Sequence, residues 1–145
     1  MGAGELIAAD GVVIGLRVPN KKDALKELAR RAALAVDIDQ SIILKALVDR
    51  EALGSTGVGM GVALPHARIA GLQRITGLFA RLARPIDFEA IDEAPVDLVF
   101  LLLGPDPGGT EYMKALASIS RVLRNRGSVA RLRAAGAEEV RGVFA

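Results

Sequence analysis

The chain has 145 residues, 51% of them apolar and 25% charged, with a formal net charge of +2 and no cysteine. That length suits one well-packed domain rather than two, and the composition is that of a water-soluble globular protein. Disulfides, thiolate nucleophiles and thiolate metal sites are excluded by the missing cysteine.

The opening Met-Gly-Ala-Gly-Glu-Leu lacks the apolar core of a secretion signal, and the longest apolar run is Leu98 to Leu103. A cytoplasmic protein with no membrane insertion is the expectation. Val12 to Val18 predicts the first strand. From Lys21 to Val36, Leu25, Leu28, Ala29, Ala32, Ala33 and Val36 recur at helical spacing behind Asn20, a good N-cap. A second helix is predicted over Ser41 to Leu53, with Asp39 or Gln40 near its start and Gly54 to stop it. Ile75 to Leu82 and Val96 to Leu103 read as strands, the latter apolar enough to be buried on both faces. A long helix follows over Thr110 to Arg126. Ser128 is then placed as the cap of a short helix ending at Gly136, and Glu138 to Val143 forms a last turn or two. Strands interleaved with helices predict a single α/β domain, its sheet flanked by helices on both faces. The strands on either side of the Pro85 to Pro95 loop are placed to pair antiparallel, which makes the sheet mixed.

One segment resists explanation as core and surface. Gly54-Ser-Thr-Gly-Val-Gly-Met-Gly-Val-Ala-Leu-Pro-His66 packs four glycines between Gly54 and Gly61, then sets a proline before the chain's single histidine. Glycines permit positive φ and expose successive backbone N–H groups, which suits an oxyanion or phosphate as well as an ordinary turn. The segment has no lysine for a Walker loop, no third glycine for a dinucleotide fingerprint, and no Gly-x-Ser-x-Gly elbow for a hydrolase. Pro65 removes a donor and holds Leu64 extended, so His66 is presented at a fixed place. A lone imidazole cannot build a common zinc site, but it can act as a nucleophile, being largely neutral at pH 7 with a pKa near ~6.5.

Arg50 falls between the directions of Ile43 and Ala46 on its helix, within the apolar stripe. A cation there needs a partner. Either a core carboxylate supplies it, or the side chain snorkels to water, or an anion is brought to the glycine segment, which the guanidinium is placed to reach past the helix end. Arg121, Arg124, Arg126, Arg131 and Arg133 cluster with no acid between Tyr112 and Ala137. They read as a solvated basic face or as a docking face for an acidic partner; no aromatic accompanies them to stack on bases, so nucleic acid is not expected.

Taken together, Gly54 to His66, the Arg50-Glu51 pair, and Pro85-Ile-Asp-Phe-Glu-Ala-Ile-Asp-Glu-Ala-Pro-Val-Asp97 resemble the signatures of phosphotransferase-system IIA components of the fructose–mannitol class. The Thr110 to Arg126 segment resembles the third signature of that family, and the likeness covers nearly the whole chain. With no membrane domain or other carrier domain in the sequence, the chain is most similar to the stand-alone nitrogen-regulatory subtype. The resemblance implies a mixed sheet flanked by helices and a phosphohistidine formed at Nε2 of His66. It implies an HPr-like donor charged by an enzyme I that uses phosphoenolpyruvate, and regulated target proteins downstream. It also implies a second histidine at the start of the third-signature helix; this chain has Tyr112 there, which donates a hydrogen bond but carries no positive charge.

The expected site is therefore His66 as phosphoryl acceptor and Arg50 balancing the charge. Thr56, Gly57, Gly59, Gly61 and Tyr112 are the expected donors to the phosphoryl oxygens. No metal or cofactor is needed when the donor is itself a phosphohistidine. The alternative is a regulatory binding module of the same fold that works without phosphorylation.

Overall fold

The computed structural model describes residues 2–145. After a 3-10 turn over Ala3–Leu6, the chain forms strand β1 (Ile7–Leu16) and helices α1 (Lys21–Val36) and α2 (Gln40–Ala52). Short strands β2 (Gly57–Gly59), β3 (Val62–Ala63) and β4 (His66–Ala70) lead into the long β5 (Thr76–Ile86) and β6 (Val96–Asp106). Helices α3 (Glu111–Arg124), α4 (Arg126–Ala134) and α5 (Ala137–Val143) close the chain.

The six strands form one mixed sheet in the order β1-β5-β6-β3-β2, with β4 also pairing β6. β5 and β6 pair antiparallel, as their spacing predicts, while β1 runs parallel to β5 and both β3 and β4 run parallel to β6. Alternation along β6 divides the core into two. Val99, Leu101 and Leu103 pack with residues of α1 and α2; Leu98, Phe100 and Leu102 pack with those of α3, α4 and α5. Each of these side chains is at most 1% exposed, so each contributes about 1.5–3 kcal/mol of burial. Helices on both faces follow from a central strand that is apolar on both.

The helices start where their caps direct. Asn20 accepts from the Asp23 N–H at 2.8 Å, and Asp39 accepts from the Ser41 N–H at 2.8 Å. Several boundaries differ from the sequence reading, β5 and β6 running on to Ile86 and Asp106 past their predicted ends at Leu82 and Leu103. The predicted first strand begins at Val12, but β1 begins at Ile7, because an irregularity between Ile7 and Val12 hides the early pairing. The predicted continuous helix to Arg126 ends at Arg124. Asn125 is extended (φ −89°, ψ 118°), closes α3 and caps α4 by accepting from the Ser128 N–H at 2.9 Å. Asn125, not Ser128, is therefore the cap.

Candidate functional site

Pro65, in the two-residue link between β3 and β4, keeps the chain along β6, its carbonyl accepting from the Leu102 N–H at 3.0 Å. His66 then opens β4, paired opposite Leu102. Strand alternation sends Ala67 and Ile69 into the core beside α1 and α2, and so turns His66 and Arg68 to the other face. There they meet the N-terminal end of α3, while the C-terminal turn of α2 comes up beside β4. The result is a shallow open depression of about 330 Å³ lined by Ala46, Asp49, Arg50, Leu53, His66, Arg68 and Tyr112.

The imidazole is half-buried and held from both sides. Nδ1 lies 2.8 Å from the Leu64 carbonyl oxygen. A carbonyl only accepts, so the proton sits on Nδ1 and the lone pair on Nε2. The Arg50 Nε–H donates to that lone pair at 3.3 Å, while Arg50 Nη1 donates to the Gly54 carbonyl at 3.0 Å. Burial lowers the imidazole pKa and the Arg50 charge adds to it, against opposing effects of the Leu64 contact and Glu51. A neutral ring with its lone pair on Nε2 is the form required of a nitrogen nucleophile.

Arg50 thus does reach past the end of α2, as its place on the helix predicts, and among the described residues no carboxylate lies within ion-pair distance of it. Its neighbour Glu51 turns the other way. Glu51 Oε1 accepts from the Thr56 N–H at 3.1 Å and pairs with Lys21 Nζ at 2.9 Å, and its second oxygen accepts from the Thr56 hydroxyl.

The glycine segment corrects the sequence reading. It is a small hairpin, β2 against β3, turning through Met60 (φ 58°) and Gly61 (φ 78°). Two consecutive positive φ values make the tight twisted turn that joins such strands, and Gly61 has no room for a Cβ between Arg133 and Asp97. Val62 pairs with Leu98 and His66 with Leu102, so the turn lies about 13 Å from the histidine along β6. Gly57 and Gly61 are buried, and the Gly57 N–H donates to Ser55 Oγ at 3.0 Å. Gly57, Gly59, Gly61 and Thr56 do not line the depression around His66; they shape the route that delivers it. Arg133, from the basic cluster, is used up here as well, bonding Met60 O at 2.6 Å and both oxygens of Asp97 at 2.8 and 2.9 Å.

Tyr112 is brought to the site. Its side chain is 5% exposed, with its ring pressed on Gly104 so closely that a Cβ there would overlap it. Burial raises the phenol pKa to about 12, against the lowering effect of Arg68 and Arg50, so the hydroxyl stays protonated. Arg68 is the functional candidate that reading the sequence missed. Its guanidinium lies 4.9 Å from the centre of the Tyr112 ring, in the range of a cation–π contact. The signal was present in the strand period of two, which puts Arg68 on the face of His66 once β4 is recognised.

Residues 5–145 match the family model of the phosphoenolpyruvate-dependent sugar phosphotransferase system, EIIA 2. A nitrogen regulatory protein of Bradyrhizobium diazoefficiens is 48% identical over 130 residues, covering 90% of this chain and 85% of its own. That of Escherichia coli strain K12 is 36% identical over 121 residues, covering 83% of this chain and 74% of its own. The crystal structure of the nitrogen regulatory protein IIA-Ntr from Neisseria meningitidis superposes with a TM-score of 0.93 at 33% identity, covering 98% of both chains. The mixed sheet, the single histidine at the start of β4 and these likenesses converge, and the chain belongs to the EIIA 2 family of the phosphotransferase system.

Proposed function

We propose that this chain is a phosphoryl carrier that accepts phosphate on Nε2 of His66 from an HPr-like phosphocarrier and acts in regulation. The donor is charged in turn by an enzyme I at the expense of phosphoenolpyruvate, and the exchange takes place in the cytoplasm. The observation that carries this reading is the fixed tautomer. Nδ1–H is held on the Leu64 carbonyl, so Nε2 presents its lone pair to an open depression beside Arg50, which has no ion-pair carboxylate among the described residues.

In the transfer, the Nε2 lone pair attacks phosphorus in line with the donor's N–P bond. That bond breaks, its electron pair returns to the donor imidazole, and a new N–P bond forms on His66. Such a transition state is loose and has little covalent help to receive, so positioning and charge balance do the work. The Leu64 carbonyl stays on Nδ1–H and stabilises the positive charge that develops on the ring. Arg50 leaves Nε2 as the phosphorus approaches and donates to a phosphoryl oxygen instead. The Tyr112 hydroxyl, near the N-terminus of α3, adds a neutral donor.

The likeness to nitrogen regulatory proteins supports a regulatory role for the phosphorylated and unphosphorylated forms. Incubation with phosphoenolpyruvate, enzyme I and the HPr-like donor should add one acid-labile phosphoryl group at His66, read by mass spectrometry. His66→Ala should take none. Equal labelling of the alanine variant would overturn the assignment.

A further inference from the structure

The proposed transfer leaves one cation at the depression without a task. Arg68 stands two residues beyond His66 on the same face of β4, about 6.6 Å along the strand. Its side chain is exposed to the depression, and among the described residues no carboxylate lies within ion-pair distance of it. The acid on the rim, Asp49, is drawn toward Lys45 at 2.7 Å, and Glu51 faces Lys21 and Thr56. Two guanidinium groups therefore face one small opening with no anion between them. Like charges so placed repel, and a dianion bound between them relieves the repulsion.

The Tyr112 ring decides where Arg68 points. The ring is buried, braced on Gly104 opposite Arg68 in the β4–β6 register, and lies under the guanidinium. A long flexible side chain is thereby held in place over a rigid surface, with its N–H edge free to donate. Resting on the reading of His66 as acceptor, we propose that Arg68, seated on Tyr112, is a second phosphoryl-binding cation. It donates to an oxygen of the phosphoryl group on Nε2 and, with Arg50, holds that group as the dianion. A guanidinium keeps its charge across the whole range in which a phosphoryl group titrates, so this balance does not fade with pH. Tyr112 is the positioning residue through which Arg68 is aimed.

The test uses the full chain phosphorylated through phosphoenolpyruvate, enzyme I and the HPr-like donor. Two quantities are followed: the pH titration of the phosphoryl ³¹P signal and the equilibrium division of phosphate between donor and chain. Arg68→Gln should move the titration to higher pH and shift the division toward the donor at least about fivefold, because one charge-assisted contact is lost. Arg68→Lys should recover part of both. Tyr112→Leu, which removes both the platform and the hydroxyl, should shift both toward Arg68→Gln by more than Tyr112→Phe, which removes the hydroxyl donor alone and keeps the ring under Arg68. Arg124→Gln, an equal charge change on an exposed face of α3, should change neither. Titration and division at wild-type values in a folded Arg68→Gln variant would overturn the assignment of Arg68. A wild-type chain that takes no phosphate at His66 would overturn the carrier reading itself, and this inference with it.

Discussion

Lys21, the first residue of α1, and Glu51, in the last turn of α2, form an ion pair of 2.9 Å whose side chains are only 15% and 6% exposed. The Lys21 ammonium also lies 4.9 Å from the centre of the Phe88 ring. The pair fastens the end of α2, and with it Thr56 and the entrance to the hairpin, behind the site. Glu51→Gln leaves Lys21 with only the more distant, exposed Glu89 at 3.5 Å as counter-charge and weakens the hold on Thr56. The expected loss is about 2 kcal/mol of stability, less than for a fully buried pair because Lys21 keeps some water. Urea denaturation measures it, and phosphotransfer per folded molecule should fall less than in the Arg50 variant below.

Arg50 bonds to His66 and to the Gly54 carbonyl, and neither contact lies deep in the core. Arg50→Gln is therefore expected to fold with nearly normal stability while slowing phosphotransfer at least about tenfold, equivalent to some 1.4 kcal/mol. Stopped sampling of labelled protein against time gives the rate. Normal transfer in a destabilised variant would make Arg50 a purely structural residue.

The lowered pKa of His66 has two consequences for pH dependence. Transfer should stay level as pH falls through the ordinary imidazole value of about 6.5, and decline only at the lower value of the folded chain. Stability responds in the same window. The unfolded chain binds the proton more readily than the folded one, so stability is undiminished above about pH 6.5 and falls as pH drops from there to the folded pKa. His66→Gln should flatten that portion of the stability curve, as thermal melting at a series of pH values would reveal.

Gly104 supports the ring of Tyr112, and a Cβ at that position meets the ring itself. Gly104→Ala should destabilise the fold by about 1–3 kcal/mol, the usual range for overpacking a filled core. It should also slow transfer by displacing Tyr112. Denaturation together with the transfer assay checks both, and an unaffected variant would mean that the ring moves aside without loss.

Much of this architecture is legible in the residues. The apolar period of α1, the caps at Asn20 and Asp39, and the doubly apolar β6 each carry a local signal strong enough to survive tertiary packing. Arg50 was identifiable because a cation in an apolar stripe needs an explanation. The hairpin was not legible, since glycine has no side chain to mark an inward or outward face and the period of two vanishes from β2. Its glycines were read as a phosphate cradle or an ordinary turn for that reason; in the fold Gly57 and Gly59 belong to β2 and Gly61 lies in the turn itself. Arg68 escaped because β4 has only five residues, too few for alternation to stand out. The break at Asn125 escaped because helical spacing continues across it on both sides.

The hydrogen bond from Arg50 to Nε2 bears on how a carrier gives up what it receives. On the proposed reading, the arginine of the empty protein covers the very lone pair that a phosphoryl group would occupy, so arrival would exchange one contact of Arg50 for another and departure would restore the first. Arg50 would then keep an acceptor in either state, a ring nitrogen in one and a phosphoryl oxygen in the other.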